Sequence, residues 1–273
     1  DEDHEEAGTD LSDPTLSDLP DTEDSTVPAD TTEPSNTDEA SDPGEVSDAT
    51  DPDSGGESDA SSPNEPETGP SDGFGEISGL CGFLDLEVRQ QLEPMMIMNG
   101  IDFFDDPYDE ADLELLTEGG QEIISDGNAG GSSLLSEVFS FEVLARCEQA
   151  ELLKTETEII YHDPAGKKTD LLVRIGQSIL GVSVTRAVGF PREDPYTTET
   201  AQGLLEQKLS GVNSSTANMS DEDSWSKQIL HIVAYEDEHA ASLEAAYGLL
   251  TDEIRSDTVV IVTVSYGEDA FLY

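Results

Sequence analysis

The chain has 273 residues, with 63 acidic against 11 basic side chains, a net charge of −52, 35% hydrophobic and 6% aromatic residues. A single uniform globular domain is excluded, because 25 of the acids and none of the bases fall within residues 1–73. The remaining 38 acids and 11 bases leave residues 74–273 at −27, which disfavours passive attraction to nucleic acid or to an anionic membrane.

Residues 1–73 are rich in Ser, Thr, Pro and Asp. They lack the apolar area needed to offset roughly 1–2 kcal/mol of backbone entropy per ordered residue. A disordered acidic tether is therefore predicted. Its composition resembles segments that follow the cleavage site of exported surface proteins, so export or a cell-surface location is one expectation and the cytoplasm the other. The first residue is Asp1 and not Met, as expected of a processed or trimmed product. No stretch reaches the roughly 18–20 apolar residues of a membrane span.

Apolar residues return at Phe74, and residues 74–273 are long enough for one α/β domain. Leu84, Leu86, Val88 and Leu92 precede Pro94, and Ala111 to Thr117 is predicted as a short helix closed by Gly119 and Gly120. The loop Gly127-Asn-Ala-Gly-Gly-Ser-Ser leads into a helix from Leu134 to Ala150, with serines suited to its N-cap and the loop expected to act as a mobile cap. Strands are predicted at Thr155–His162, Lys168–Ile175 and Ser178–Ala187, joined by turns at Asp163-Pro-Ala-Gly and Gly176-Gln177.

A helix from Thr198 to Leu209 follows, then a polar loop. The short apolar runs Gln228–Tyr235 and Thr258–Val264 flank a helix from Glu238 to Leu250, and such runs suit parallel strands buried on both faces. The order is helix, three meandering strands, helix, strand, helix, strand, which predicts a three-layer mixed sheet with flanking helices.

Asp170 opens the second strand of the meander, Glu137 and Glu142 lie on the helix before it, and Lys208 lies on the helix after it. Together with the element order, these residues resemble the PD-(D/E)XK nuclease-like superfamily over residues 134–264. The resemblance implies a restriction-endonuclease-like core in which Asp170, Glu137 and Glu142 ligate Mg²⁺, and in which Asp170, Lys208 and Gln228 form the catalytic set. Two positions depart from it. Where the family carries Glu-x-Lys on the third strand, this chain has Ser183 and Thr185, which share a face but supply neither carboxylate nor ammonium. Ser183, Thr185 and His231 are then expected as substrate contacts.

Two readings of function follow from the resemblance. In the first the site is degenerate and the domain serves as a binding or structural module. In the second, Mg²⁺-dependent phosphodiester hydrolysis persists with Lys208 as a migrated lysine. A third reading, an acidic surface or scaffold protein, needs no site. Nucleic acid stays on the list of partners against the charge balance. His231 also suits a hydrogen-bonded core residue, and Lys208 a lysine whose stem lies on the core.

Other motifs fail. The Gly127 loop lacks Gly-Lys-Ser/Thr, Gly181-Val-Ser183 lacks the second glycine and the strand-to-helix turn of a nucleophile elbow, and Asp105, Asp106, Asp109 and Asp112 lack the calcium-loop spacing. Cys81 and Cys147 allow either one bridge or two separate thiols, and no zinc spacing exists. Asn213-Ser-Ser and Asn218-Met-Ser fit the glycosylation triplet, which has meaning only in a eukaryotic secretory pathway.

Overall fold

A computed structural model describes residues 73–128, 133–189, 191–192 and 194–273. The expected tether thus lies outside the described residues except for Gly73, and so does the centre of the Gly127 loop. The folded part is built on one mixed sheet. Its strands are β1 (Glu76–Gly79), β2 (Met95–Asp102), β3 (Glu151–Thr155), β4 (Leu171–Ile175), β5 (Ser178–Ala187), β6 (Lys227–Ala234) and β7 (Val259–Tyr266). They lie in the order β1-β2-β7-β6-β5-β4-β3.

The four inner strands β2, β7, β6 and β5 are parallel, and antiparallel neighbours flank them on both sides. Helices in chain order are α1 (Leu86–Gln90), α2 (Glu118–Asp126), α3 (Leu134–Glu148), α4 (Thr198–Asn218), α5 (Asp237–Tyr247) and α6 (Asp252–Arg255).

The apolar runs decide the layering. Every residue of β6 is buried, as is nearly every residue of β7, so both faces of the central strands need a cover. On one face Leu171, Val173, Leu180, Val182, Ile229 and Ile261 pack with Val138, Phe139 and Leu144 of α3. On the other, Leu230, Ile232, Val260 and Val262 pack with Leu205 and Leu209 of α4 and with Leu243 of α5.

α3 is covered on its outer side as well. Its acids and its arginine are buried with it, and each takes a specific partner. Glu148 accepts the backbone N–H groups of Gly82, Phe83 and Leu84 at 2.9, 3.3 and 2.9 Å, while Arg146 donates to the carbonyls of Phe74 and Gly75. Cys81 is bridged to Cys147 across 66 residues. The segment from Gly73 to Gln91 is thereby tied onto the outer face of α3. Replacing Glu148 by Gln removes the charge from three hydrogen bonds and aims an NH₂ group at donors. We expect a loss of about 2 kcal/mol, read by urea denaturation, whereas an exposed control such as Glu87→Gln should change stability by less than about 0.5 kcal/mol.

Several boundaries depart from the sequence pattern. The strand expected at Thr155–His162 is displaced: β3 ends at Thr155, and Glu156 onward turns away. The Glu158 carboxylate accepts the Thr155 N–H at 3.0 Å, and the Glu158 N–H closes a turn on the Thr155 carbonyl. Ile159 and Tyr161 then bury against Leu172 and Trp225 outside the ladder.

The helix expected at Ala111–Thr117 is a 3₁₀ turn over Glu110–Leu115, and Gly119 and Gly120 begin α2 where they were expected to stop a helix. A Cβ at Gly119 would meet the Phe141 ring and one at Gly120 the Glu142 carboxylate, so the pair of glycines lets α2 lie close on α3. α4 runs on to Asn218, nine residues beyond Leu209. Ser133 occupies the N-cap position of α3 without capping it, because its hydroxyl donates to Glu137. β1, β2 and α2 have no counterpart in the predicted elements.

Candidate functional site

β4 and β5 pair only from Leu171 opposite Val182, although β5 runs on to Ala187. Beyond that point the two strands part. The Val184 N–H, which a longer ladder would have used, donates instead to Oδ2 of Asp170 at 2.6 Å, and the Asp170 N–H closes the last rung on the Val182 carbonyl. Leu171 and Val182 face α3. Register therefore places Ser183 and Thr185 on the α4 face, while Asp170, just ahead of β4, turns its carboxylate onto the parted edge of β5.

At this opening charged groups from both layers come within electrostatic reach of one carboxyl. Burial pushes Asp170 up to about 7. The Val184 hydrogen bond opposes that shift, the carboxylates of Glu137 and Glu156 add to it, and the Lys208 ammonium of α4 opposes it. Glu137 is also pushed up, chiefly by burial and further by Glu156, against hydrogen bonds from Ser133 at 2.8 Å and Asn128 at 3.1 Å. Three acids and one lysine thus lie within electrostatic reach of one another at the gap, brought by α3, the turn after β3, the start of β4, and α4.

The other sequence-derived candidates sit differently. Glu142 is on the far side of α3, where it accepts the Thr117 N–H at 2.9 Å and the Thr117 hydroxyl at 2.6 Å, and it anchors α2 with no part in the gap. Gln228 is buried in a structural network. Its amide donates to Asn213 and Thr258 at 3.1 Å each and its carbonyl accepts from Thr216, so no group is left for a phosphate or a water.

His231 is fully enclosed, with Nε2 at 2.7 Å from the Thr263 hydroxyl, which in turn donates to Asn99 at 2.6 Å. Burial pushes the imidazole down to about 3, so it stays neutral and reaches no substrate. Ser183 keeps its place beside the gap, with its hydroxyl 3.2 Å from that of Thr169, and Thr185 follows on the same face.

Glu156 is the member that sequence reasoning missed. It falls within the strand expected at Thr155–His162, and only the turn after Thr155 brings its charge within reach of Asp170. A second acidic group was missed as well. One ligand oxygen from each of Glu122, Asp126 and Glu158 lies within 4.8 Å of the others, an arrangement able to hold a cation through oxygens alone. The i,i+4 spacing of Glu122 and Asp126 on a helix was the readable signal. All three are exposed, so water competes for any cation there.

Comparison with known proteins adds little. The AAC-rich mRNA clone AAC4 protein of Dictyostelium discoideum is 43% identical over 154 residues, which is 54% of this chain and 22% of that protein. The chain thus spans about a fifth of that relative's length. No family model matches, and no solved structure matches. Among the described residues no helix is long and apolar enough to cross a membrane.

Proposed function

We propose that the opening between β4 and β5 is a divalent-cation-assisted phosphodiester site on a PD-(D/E)XK-like core. The observation that carries this reading is the Asp170 carboxyl held in the combined field of Glu137, Glu156 and Lys208. The order α3, β3, β4, β5, α4, β6, with an antiparallel meander and a parallel fourth strand, supports it.

The donor set suits Mg²⁺. Burial and the Glu156 charge raise the proton affinity of Asp170 and Glu137, and a hard cation would relieve the repulsion among these carboxylates. Asp170, Glu137 and Glu156 would hold it. A bound Mg²⁺ supplies a water of lowered pKa and polarises a phosphoryl oxygen.

The protein's own groups do the rest. The Val184 N–H fixes one Asp170 oxygen and leaves the other free. Lys208 is placed to offset negative charge that develops on a phosphate, and Ser183 offers a neutral hydroxyl at the edge. Glu156 and Lys208 stand in for the carboxylate and ammonium that β5 lacks. Burial raises the proton affinity of Asp170, so a proton must leave before the carboxylate can serve.

A second reading rests on Ser183 and Thr185: without charge on β5, the site binds a phosphate chain and does not cut it. Incubating the full chain with labelled single-stranded oligonucleotide and Mg²⁺ or Mn²⁺ separates the two. Hydrolysis should appear, stop with EDTA, and fall at least about 100-fold in Asp170→Ala and in Lys208→Ala. Cleavage that survives Asp170→Ala would remove the site from the mechanism, and binding without cleavage would select the second reading.

A further inference from the structure

Eight of the chain's eleven lysines and arginines are engaged by carboxylates, carbonyls or aromatic rings. The other three are Lys167, Lys168 and Lys208, and among the described residues none of these has a carboxylate within 4.0 Å. They are not scattered. Lys208 lies within electrostatic reach of Asp170, and Lys167 and Lys168 are exposed on the loop that runs directly into Asp170.

That loop is built to hold its shape. The Asn218 side chain at the end of α4 accepts the Asp163 N–H at 2.9 Å and donates to the carbonyls of Asp163 and Lys167 at 2.9 and 3.1 Å. Gly166 closes a turn on Asp163. The Tyr161 hydroxyl accepts the Thr169 N–H at 2.8 Å and shuts the base of the loop.

We propose that the Asn218-pinned loop presents Lys167 and Lys168 as the anchor for the phosphates of a single-stranded nucleic acid whose chain runs on to the gap at Asp170. This names a substrate class for the site proposed above and rests on that reading. In a domain of net charge −27, two adjacent unpaired lysines at the mouth of an acidic gap form a local attraction set against a repelling surface. Two or three phosphates suit a short single strand, whereas duplex binders typically neutralise about 6–10.

The test is fluorescence anisotropy of a 5′-labelled twelve-residue oligo-dT with the full chain in EDTA, so that binding is read without cleavage. Affinity should fall with salt along a log–log slope of about −2, and in K167A/K168A the slope should shrink by about 1.4 with binding weakened at least about tenfold at low salt. Arg174→Ala, which removes an exposed arginine paired with Glu151, should leave both unchanged.

Unaltered binding in K167A/K168A, no binding by the wild type, or equal affinity for a duplex of the same length would each overturn the assignment. Binding that behaves as expected while Mg²⁺ yields no cleavage keeps the anchor and rejects hydrolysis. Cleavage that depends on Asp170 but not on these lysines does the reverse.

Discussion

Replacing Asp170 by Asn is expected to make the protein more stable at pH 8 while leaving it nearly unchanged at pH 4. The sign follows from linkage. Burial and the neighbouring carboxylates hold Asp170 at about 7, above the roughly 3.9 of an unfolded aspartate, so the folded state binds its proton more tightly. Below about pH 4 both states are protonated and nothing is lost. Between about 4 and 7 the unfolded chain releases the proton first, so stability falls as pH rises, and above 7 the penalty is constant.

Three pH units correspond to about 4 kcal/mol at most. The residue is only partly buried, so we expect about 2 kcal/mol from Asp170→Asn at pH 8, read as a shift in urea midpoint. Asn keeps an oxygen for the Val184 N–H and removes the charge alone. Mg²⁺ should reverse the order by raising the wild-type melting temperature and not that of the variant. Equal shifts in both would place the cation elsewhere, with Glu122, Asp126 and Glu158 the first place to look.

Removing the bridge between Cys81 and Cys147 should have the largest effect on stability. Closing a loop of 66 residues takes chain entropy from the unfolded state worth about 4 kcal/mol. For a domain of this size that corresponds to a fall of about 10 °C in Tm. Substituting both cysteines by Ala and adding dithiothreitol to the wild type should give the same loss. The segment thus loosened holds Phe74, which stacks on Phe103 and meets Phe139 and Tyr108, so the near-ultraviolet circular dichroism should weaken too. A loss below about 1 kcal/mol would mean that the other contacts of the segment already fix it.

What could be read from the sequence followed the strength of each local pattern. β5 was recovered residue for residue, and β6 and β7 to within two, because their alternation or continuous burial leaves no other solution. β2 escaped because Met95, Met96 and Met98 have no strong β preference and gain their order only from β7, far along the chain. The strand placed at Thr155–His162 shows the opposite failure, in which Glu158 captures the Thr155 backbone and overrides β-prone residues.

At the site, Asp170, Glu137 and Lys208 were legible as polar groups at the ends and faces of well-defined elements. Glu142 was not separable from Glu137, since both lie on a helix buried all round and only α2, itself unforeseen, decides which side each serves. Gln228 and His231 carry functional residue types, and their partners Thr216, Thr258 and Thr263 stand 12, 30 and 32 residues further along or back, so only the exact register of the packed elements shows that these side chains are already satisfied.

The parallel pairing of β2 with β7 also constrains the birth of the molecule. Met95 lies opposite Val259, so the 164 residues that separate the two must be made before the methionine-rich strand finds its neighbour. The β3–β5 meander and its crossover through α4 to β6 rest on nearer contacts and are expected to gather first. Until β7 arrives, β2 has its antiparallel neighbour β1 on one side and an open edge on the other, the kind of edge that invites pairing with a foreign strand.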